Sequence, residues 1–141
     1  MRYLLDTNVL SELRKIRAGK ADRCVALWAD SVDTADLYVS VITIQELEMG
    51  VLLAERRDQA QGAMLRAWLN GHVLPAFVGR ILSVDTEVAL RSAHLNVPDP
   101  RPVRDGLIAA TALVHGMTVV TRNVTDFAPT AVKLLNPWNQ P

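Results

Sequence analysis

The sequence predicts a single α/β domain over residues 1–141, with a short, mainly parallel five-stranded sheet covered by helices on both faces. Three observations carry that prediction. Short runs that are apolar at every position recur along the chain, as strands covered on both faces require. Longer segments with apolar residues at helical spacing lie between them, the order of an α/β fold. The chain has 141 residues, half of them hydrophobic, which is enough for one core and too little for two domains.

The elements follow in order. Tyr3-Leu4-Leu5 reads as a buried strand, and Asp6-Thr7-Asn8 as the entry to a helix over Val9 to Lys15 that Thr7 could cap. Ala21 to Asp30 is a second helix, with Ala21, Val25 and Trp28 on one face. Asp33 to Asp36 is a loop, and Leu37 to Ser40 the second strand. Thr43-Ile44-Gln45-Glu46 fits a capping box, with Thr43 at the cap of a helix that buries Ile44, Leu47, Val51 and Ala54. A further helix, Asp58 to His72, is expected to bury Met64, Leu65, Trp68 and Leu69. Ile81 to Val84 is the third strand and Thr86 to Asn96 a helix. The prolines of Val97 to Pro102 make that stretch a rigid connector. Asp105 to His115 is apolar on almost every side, hence a buried helix, and Gly116 ends it. Met117 to Thr121 is the fourth strand, Arg122 to Phe127 a loop or short helical turn, and Val132 to Leu135 the fifth strand.

Fifteen basic residues balance fifteen acidic ones, so no charge excess points to a polyanion and any such contact must be local. The single Cys24 excludes an internal disulfide and a cysteine-based zinc site, and fits a reducing compartment. Asp6 follows only two leucines, which leaves no apolar stretch for a secretory leader, and no segment is long enough to span a membrane. A cytoplasmic location is the expectation.

Four acids stand at element ends. Asp6 follows the first strand, Glu46 lies in the first turn of the helix after the second, Asp105 in the first turn of the buried helix, and Asp126 in the loop after the fourth strand. Each has a plainer explanation: Asp6 as a helix cap, Glu46 as the partner in its capping box, Asp105 as an acid favoured by a helix N-terminus, Asp126 as a loop acid. Together they could share the carboxyl edge of a parallel sheet, where sites of open α/β folds form. Four converging carboxylates cannot all stay ionised without a counter-charge. Oxygen donors without Cys or His neighbours suit Mg²⁺ or Mn²⁺, ions that hold a phosphate oxygen and activate water.

Other chemistries find little support. There is no GxxxxGK[ST] loop, no GxGxxG after the first strand, and no nucleophile-elbow serine. His72, His94 and His115 are scattered, without zinc spacing. A phosphoacceptor role for Asp6 lacks the acidic pair and late lysine it would need, since Lys133 comes too far along the chain.

The motifs match a known family. Leu4-Leu5-Asp6-Thr7-Asn8-Val9-Leu10-Ser11-Glu12 resembles the opening of PIN-domain proteins. Thr43 to Gly50 resembles their second acidic motif, Arg104 to Ala112 the third, and Val119 to Phe127 the fourth. The chain is most similar to the VapC toxins of bacterial toxin–antitoxin pairs, in the FitB-like branch. The resemblance implies a metal-dependent endoribonuclease, a homodimer, and a small antitoxin whose C-terminal segment covers the acidic site, where an arginine would compete with the metal. Carried over by position, Asp6, Glu46, Asp105 and Asp126 are the catalytic and Mg²⁺- or Mn²⁺-binding residues, with Asn123 as the other candidate for the fourth place and Thr121 as a hydroxyl that orients a ligand. The alternatives are a PIN-like binding module without catalysis and a nuclease acting on DNA.

RNA contact would fall on Arg14, Lys15, Arg17, Lys20 and Arg23, which are equally readable as a solvated helix end. Trp28 and Trp68 could stack on bases, but their helical spacing favours core packing. A dimer interface is expected around Leu52, Leu53, Met64 and Leu65.

Overall fold

A computed structural model describes residues 1–139. Strands β1 (Tyr3–Leu5), β2 (Leu37–Ser40), β3 (Ile81–Leu82), β4 (Thr118–Val120) and β5 (Leu134–Leu135) form one sheet in the order β3-β2-β1-β4-β5. Every pairing is parallel. Helices α1 (Thr7–Leu13), α2 (Arg23–Ser31), α3 (Val41–Arg57), α4 (Gln59–Trp68), α5 (Leu74–Ala76), α6 (Thr86–Leu95), α7 (Val103–His115) and α8 (Val124–Phe127) connect the strands.

Side chains alternate across the sheet and so build two cores. Leu5, Val39 and Val120 face a cluster with Val9, Leu10, Trp28, Leu47, Val51 and Leu69. Their neighbours Leu4 and Val119 face the other side, against Ile108, Ala109, Ala112 and Phe127. Strands buried on both faces have no polar side to show, which is why each reads as a continuous apolar run. Trp28 is a core residue, edge-on to Tyr3 with ring centroids 5.4 Å apart.

Several expectations need correction. Asp6, not Thr7, caps α1, accepting a hydrogen bond from the Thr7 N–H at 2.7 Å, and the helix therefore begins at Thr7. The Thr43–Glu46 capping box does not form. Ser40 caps α3, its hydroxyl accepting from the Ile42 N–H at 3.0 Å. Val41 and Ile42 are β-branched, but packing of Ile42 against the second core outweighs its propensity, and the helix starts one turn earlier. Thr43 is buried within that first turn with its hydroxyl unpartnered. Met64 is 65% exposed, not buried. Helix α4 meets α3 through Gly62, whose added Cβ would lie 2.6 Å from the Glu55 Cα, and this turns Met64 outward. The segment expected to run to His72 as one α-helix ends at Trp68 and continues through a wide π-type turn, Leu69–Val73.

Gly116, at φ 67, closes α7 in the left-handed conformation expected of a helix-ending glycine. No described helix is long and apolar enough to cross a membrane.

Candidate active site

The register of the central strands builds the floor of the site. Leu5 pairs with Val120, so the next residues, Asp6 and Thr121, emerge side by side beyond the carboxyl ends of β1 and β4. The Asp6 N–H donates to the Val120 carbonyl at 2.9 Å, and the Thr121 N–H to the Leu135 carbonyl at 3.0 Å. From β1 the chain proceeds to β2 and β3 on one side, then returns to β4 and β5 on the other. The β1/β4 crevice is thus the topological switch point, the place where open α/β sheets form their sites.

Asp6 is fully buried and fully partnered. Its Oδ1 accepts from the Thr7 N–H and from Arg104 Nη2, and its Oδ2 accepts from the Thr121 hydroxyl at 2.7 Å and from Asn8 Nδ2 at 3.5 Å. Thr121 therefore orients the carboxylate, as expected of it. Glu46 reaches the same place from the second turn of α3, not the first, because that helix starts at Val41. Its Oε1 accepts from the Thr7 hydroxyl at 2.5 Å and its Oε2 from Arg104 Nε at 2.5 Å. Asp105 lies in the first turn of α7, its Oδ1 accepting from Arg104 Nη1 at 2.8 Å.

Three acids from three elements thus converge on one guanidinium. Arg104 pairs with Asp6, Glu46 and Asp105 at once and also donates to Thr7 Oγ1 at 3.3 Å. Partial burial works against its charge, but its hydrogen bonds to Glu46 and Asp6 and the negative charge of both outweigh this. The guanidinium is held protonated well above its ordinary value. Three carboxylates (−3) against one guanidinium (+1) leave a formal charge of −2 on the cluster.

Asp126 is not part of this cluster. It sits exposed on α8, and no hydrogen bond or ion pair ties its carboxylate to Arg104 among the described residues. Its backbone N–H donates to the Asn123 carbonyl at 3.1 Å. Asn123 is also exposed, and its backbone N–H donates to the Thr121 hydroxyl at 3.0 Å, which fixes the start of α8 beside Asp6.

Arg104, Thr7 and Asn8 join the site beyond the residues expected from the sequence. A signal for Arg104 existed: a cation in the first turn of a helix opposes the helix dipole and asks for a local reason. The signal for Thr7 and Asn8 was a run of three polar residues directly after a buried strand.

The donors fit a hard divalent cation in kind. They are carboxylate oxygens, drawn from separate rigid elements, close enough to share one planar cation, with negative charge left over. With Arg104 between them, no group of three acidic, histidine or cysteine side chains among the described residues is arranged to hold a metal ion.

Two clefts lead away from the acids. One of about 260 Å³ is lined by Thr7, Ser11, Arg14, Glu46 and Trp68 among others. It shares Arg14 and Trp68 with a second, of about 430 Å³, that adds Arg17, Met64 and His72. The Arg14 guanidinium lies over the Trp68 ring, 5.7 Å from its centroid.

The molecule is of the class of parallel α/β domains that gather acids at the switch point, and the comparisons narrow it. The PIN domain family model matches residues 3–132, and the chain belongs to that family. It is 40% identical to toxin FitB of Neisseria gonorrhoeae over 141 residues, covering 96% of this chain and 98% of that protein. It is 37% identical to VapC ribonuclease Y4jK of Sinorhizobium fredii over 140 residues, covering 96% of each. The crystal structure of FitAcB from Neisseria gonorrhoeae superposes with a TM-score of 0.87 at 37% identity, over 97% of this chain and 99% of that one. The expected family and the single α/β domain with a five-stranded sheet are borne out, and the sheet is parallel throughout.

Proposed function

We propose that this chain is the toxin of a toxin–antitoxin pair and acts as a Mg²⁺- or Mn²⁺-dependent endoribonuclease. The observation that carries the reading is the convergence of Asp6, Glu46 and Asp105 on a single cation at the β1/β4 switch point. The similarity to a ribonuclease and to a toxin supports it. Asp6, Glu46 and Asp105 would hold the metal, with Asp126 or Asn123 approaching from α8 to complete the site. When bound, such an ion supplies Lewis acidity toward a phosphodiester and lowers the pKa of water.

The chain's own residues do the rest. Thr121 and the Thr7 N–H hold the Asp6 carboxylate in one orientation, so that no rotamer has to be fixed as substrate arrives. The Thr7 hydroxyl does the same for Glu46. Arg14 and Arg17 line the adjoining clefts and supply local positive charge for RNA phosphates on a chain of zero net charge. Trp68 packs half-buried against the first core with the Arg14 guanidinium over its ring, and where it lines the clefts it would meet a base.

An antitoxin would act by covering the acids, and a second copy of the chain by covering the exposed apolar strip of Met49, Leu52, Leu53 and Met64 on α3 and α4. Leu65, expected in that interface, packs instead against the first core.

Expression in bacteria of the wild type beside Asp6→Asn, with digestion of labelled RNA and DNA by both purified proteins, tests the reading. Growth arrest and RNA cleavage by the wild type alone are expected. Cleavage of DNA only would make the chain a DNase. Folded wild-type protein that cleaves neither would leave a binding module.

A further inference from the structure

Arg104 uses its whole fork on the acids. Its Nε, Nη1 and Nη2 each take a different carboxylate, and Nη2 also reaches the Thr7 hydroxyl. The residue lies in the first turn of α7, where a cation is disfavoured by the helix dipole, so the acids and not the helix hold it there. It is tethered next to Asp105 in sequence, so it cannot diffuse away from the site it neutralises. Its side chain remains 29% exposed, which leaves it a path outward.

We propose that Arg104 is a built-in competitor of the metal: its guanidinium occupies the point where Asp6, Glu46 and Asp105 converge, and a divalent cation enters only as Arg104 swings out. The proposal rests on the metal-dependent reading above. It makes the site a two-state element, closed on Arg104 or open to the cation, and the observed metal affinity is the intrinsic one reduced by the fraction of molecules in the open state. If the open state holds about 1–10% of the population, the apparent affinity falls by roughly tenfold to a hundredfold. The cluster's remaining charge of −2 is consistent with this, since Arg104 blocks the site without exhausting its attraction for a divalent ion.

Two measurements on the full chain test it. In the first, Mn²⁺ is titrated calorimetrically into the wild type and into Arg104→Gln. The variant should bind about tenfold or more tightly. Equal or weaker binding by a folded variant overturns the proposal alone, whereas binding to neither protein overturns the metal reading with it. In the second, which needs no variant to fold, Mg²⁺ is titrated into ¹⁵N-labelled wild type while the Arg104 Nε–H resonance is followed. It should start as a slowly exchanging, hydrogen-bonded signal and move to the position of a solvated arginine as the site fills. A resonance that stays in place at saturating Mg²⁺ overturns the proposal.

Discussion

Replacing Asp6 by Asn keeps the shape of a fully buried side chain and removes its charge. In a site of bare, mutually repelling carboxylates, the metal-free protein would gain stability from that change. The Arg104 cluster reverses the expected sign. The substituted amide can keep its oxygen toward the Thr7 N–H and Arg104, and the Thr121 hydroxyl can turn to accept from its nitrogen. What is lost is the charge of one charge-assisted pair, together with the acceptor of the Thr121 hydroxyl proton and of Asn8 Nδ2. Arg104 still has Glu46 and Asp105, so no cation is stranded. The cost is therefore about 1–2 kcal/mol, below the ~3–5 kcal/mol of breaking a buried pair outright. For a domain of this size that lowers Tm by roughly 3–8 °C. Asp6→Ala also loses the cap and the Thr121 bond, and should cost about 3 kcal/mol or more. The assay is urea and thermal unfolding in EDTA at neutral pH. A Tm for Asp6→Asn above that of the wild type would mean that repulsion among the acids outweighs their pairing with Arg104, the opposite of what is expected.

Thr121→Val should destabilise by about 1–3 kcal/mol in urea unfolding, since it leaves a fully buried carboxylate oxygen with only the 3.5 Å contact from Asn8, while Thr121→Ser should restore most of the loss. Glu12 is held below its ordinary carboxylate range, first by the Asp22 N–H at 2.7 Å and then by Lys15. A depressed folded value means stability that is present above the unfolded pKa and lost as pH falls through the folded one. Glu12→Gln should thus cost about 0.5–1 kcal/mol at neutral pH, and the gap between the two unfolding curves should close below about pH 4. Gly62→Ala would place a Cβ against Glu55 backbone atoms at 2.6 and 2.8 Å, so α3 and α4 must part at a cost of about 1–3 kcal/mol. Gly106→Ala meets the Ser92 hydroxyl at 3.4 Å, Asn96 Nδ2 at 3.6 Å and Arg101 Cβ at 3.9 Å, ordinary van der Waals contacts, and should leave stability unchanged or raise it by up to about 1 kcal/mol of helix propensity, read by thermal unfolding.

The fold was legible because parallel strands covered on both faces leave an unmistakable trace. Leu37 to Ser40 is found as β2 with the expected bounds, and Gly116 ends α7 as expected. The boundaries that failed did so where two residues compete for one job. Ser40 and Thr43 are both good caps, and only the end of β2 decides between them. Met64 follows helical periodicity, yet which side of α4 faces the core depends on Gly62 meeting α3, a contact between separate elements. At the site, the acids could be placed at strand and helix ends one by one. That Asp6, Glu46 and Asp105 meet while Asp126 stands apart follows from sheet order and helix phase, which no local pattern contains. The helix-end position of Arg104 was only a hint, and what it binds was hidden for the same reason, since two of its three acidic partners lie 98 and 58 residues away.

The most direct test of the account is the chemistry of the cut ends. Labelled RNA is incubated with the wild type in Mg²⁺, in EDTA, and with Asp105→Asn in Mg²⁺, and the products are resolved for terminal groups. A metal-activated water at these acids gives 5′-phosphate and 3′-hydroxyl ends in Mg²⁺, no cleavage in EDTA, and a loss of about a hundredfold or more in the variant. Products ending in 2′,3′-cyclic phosphate, or full cleavage in EDTA, would contradict it.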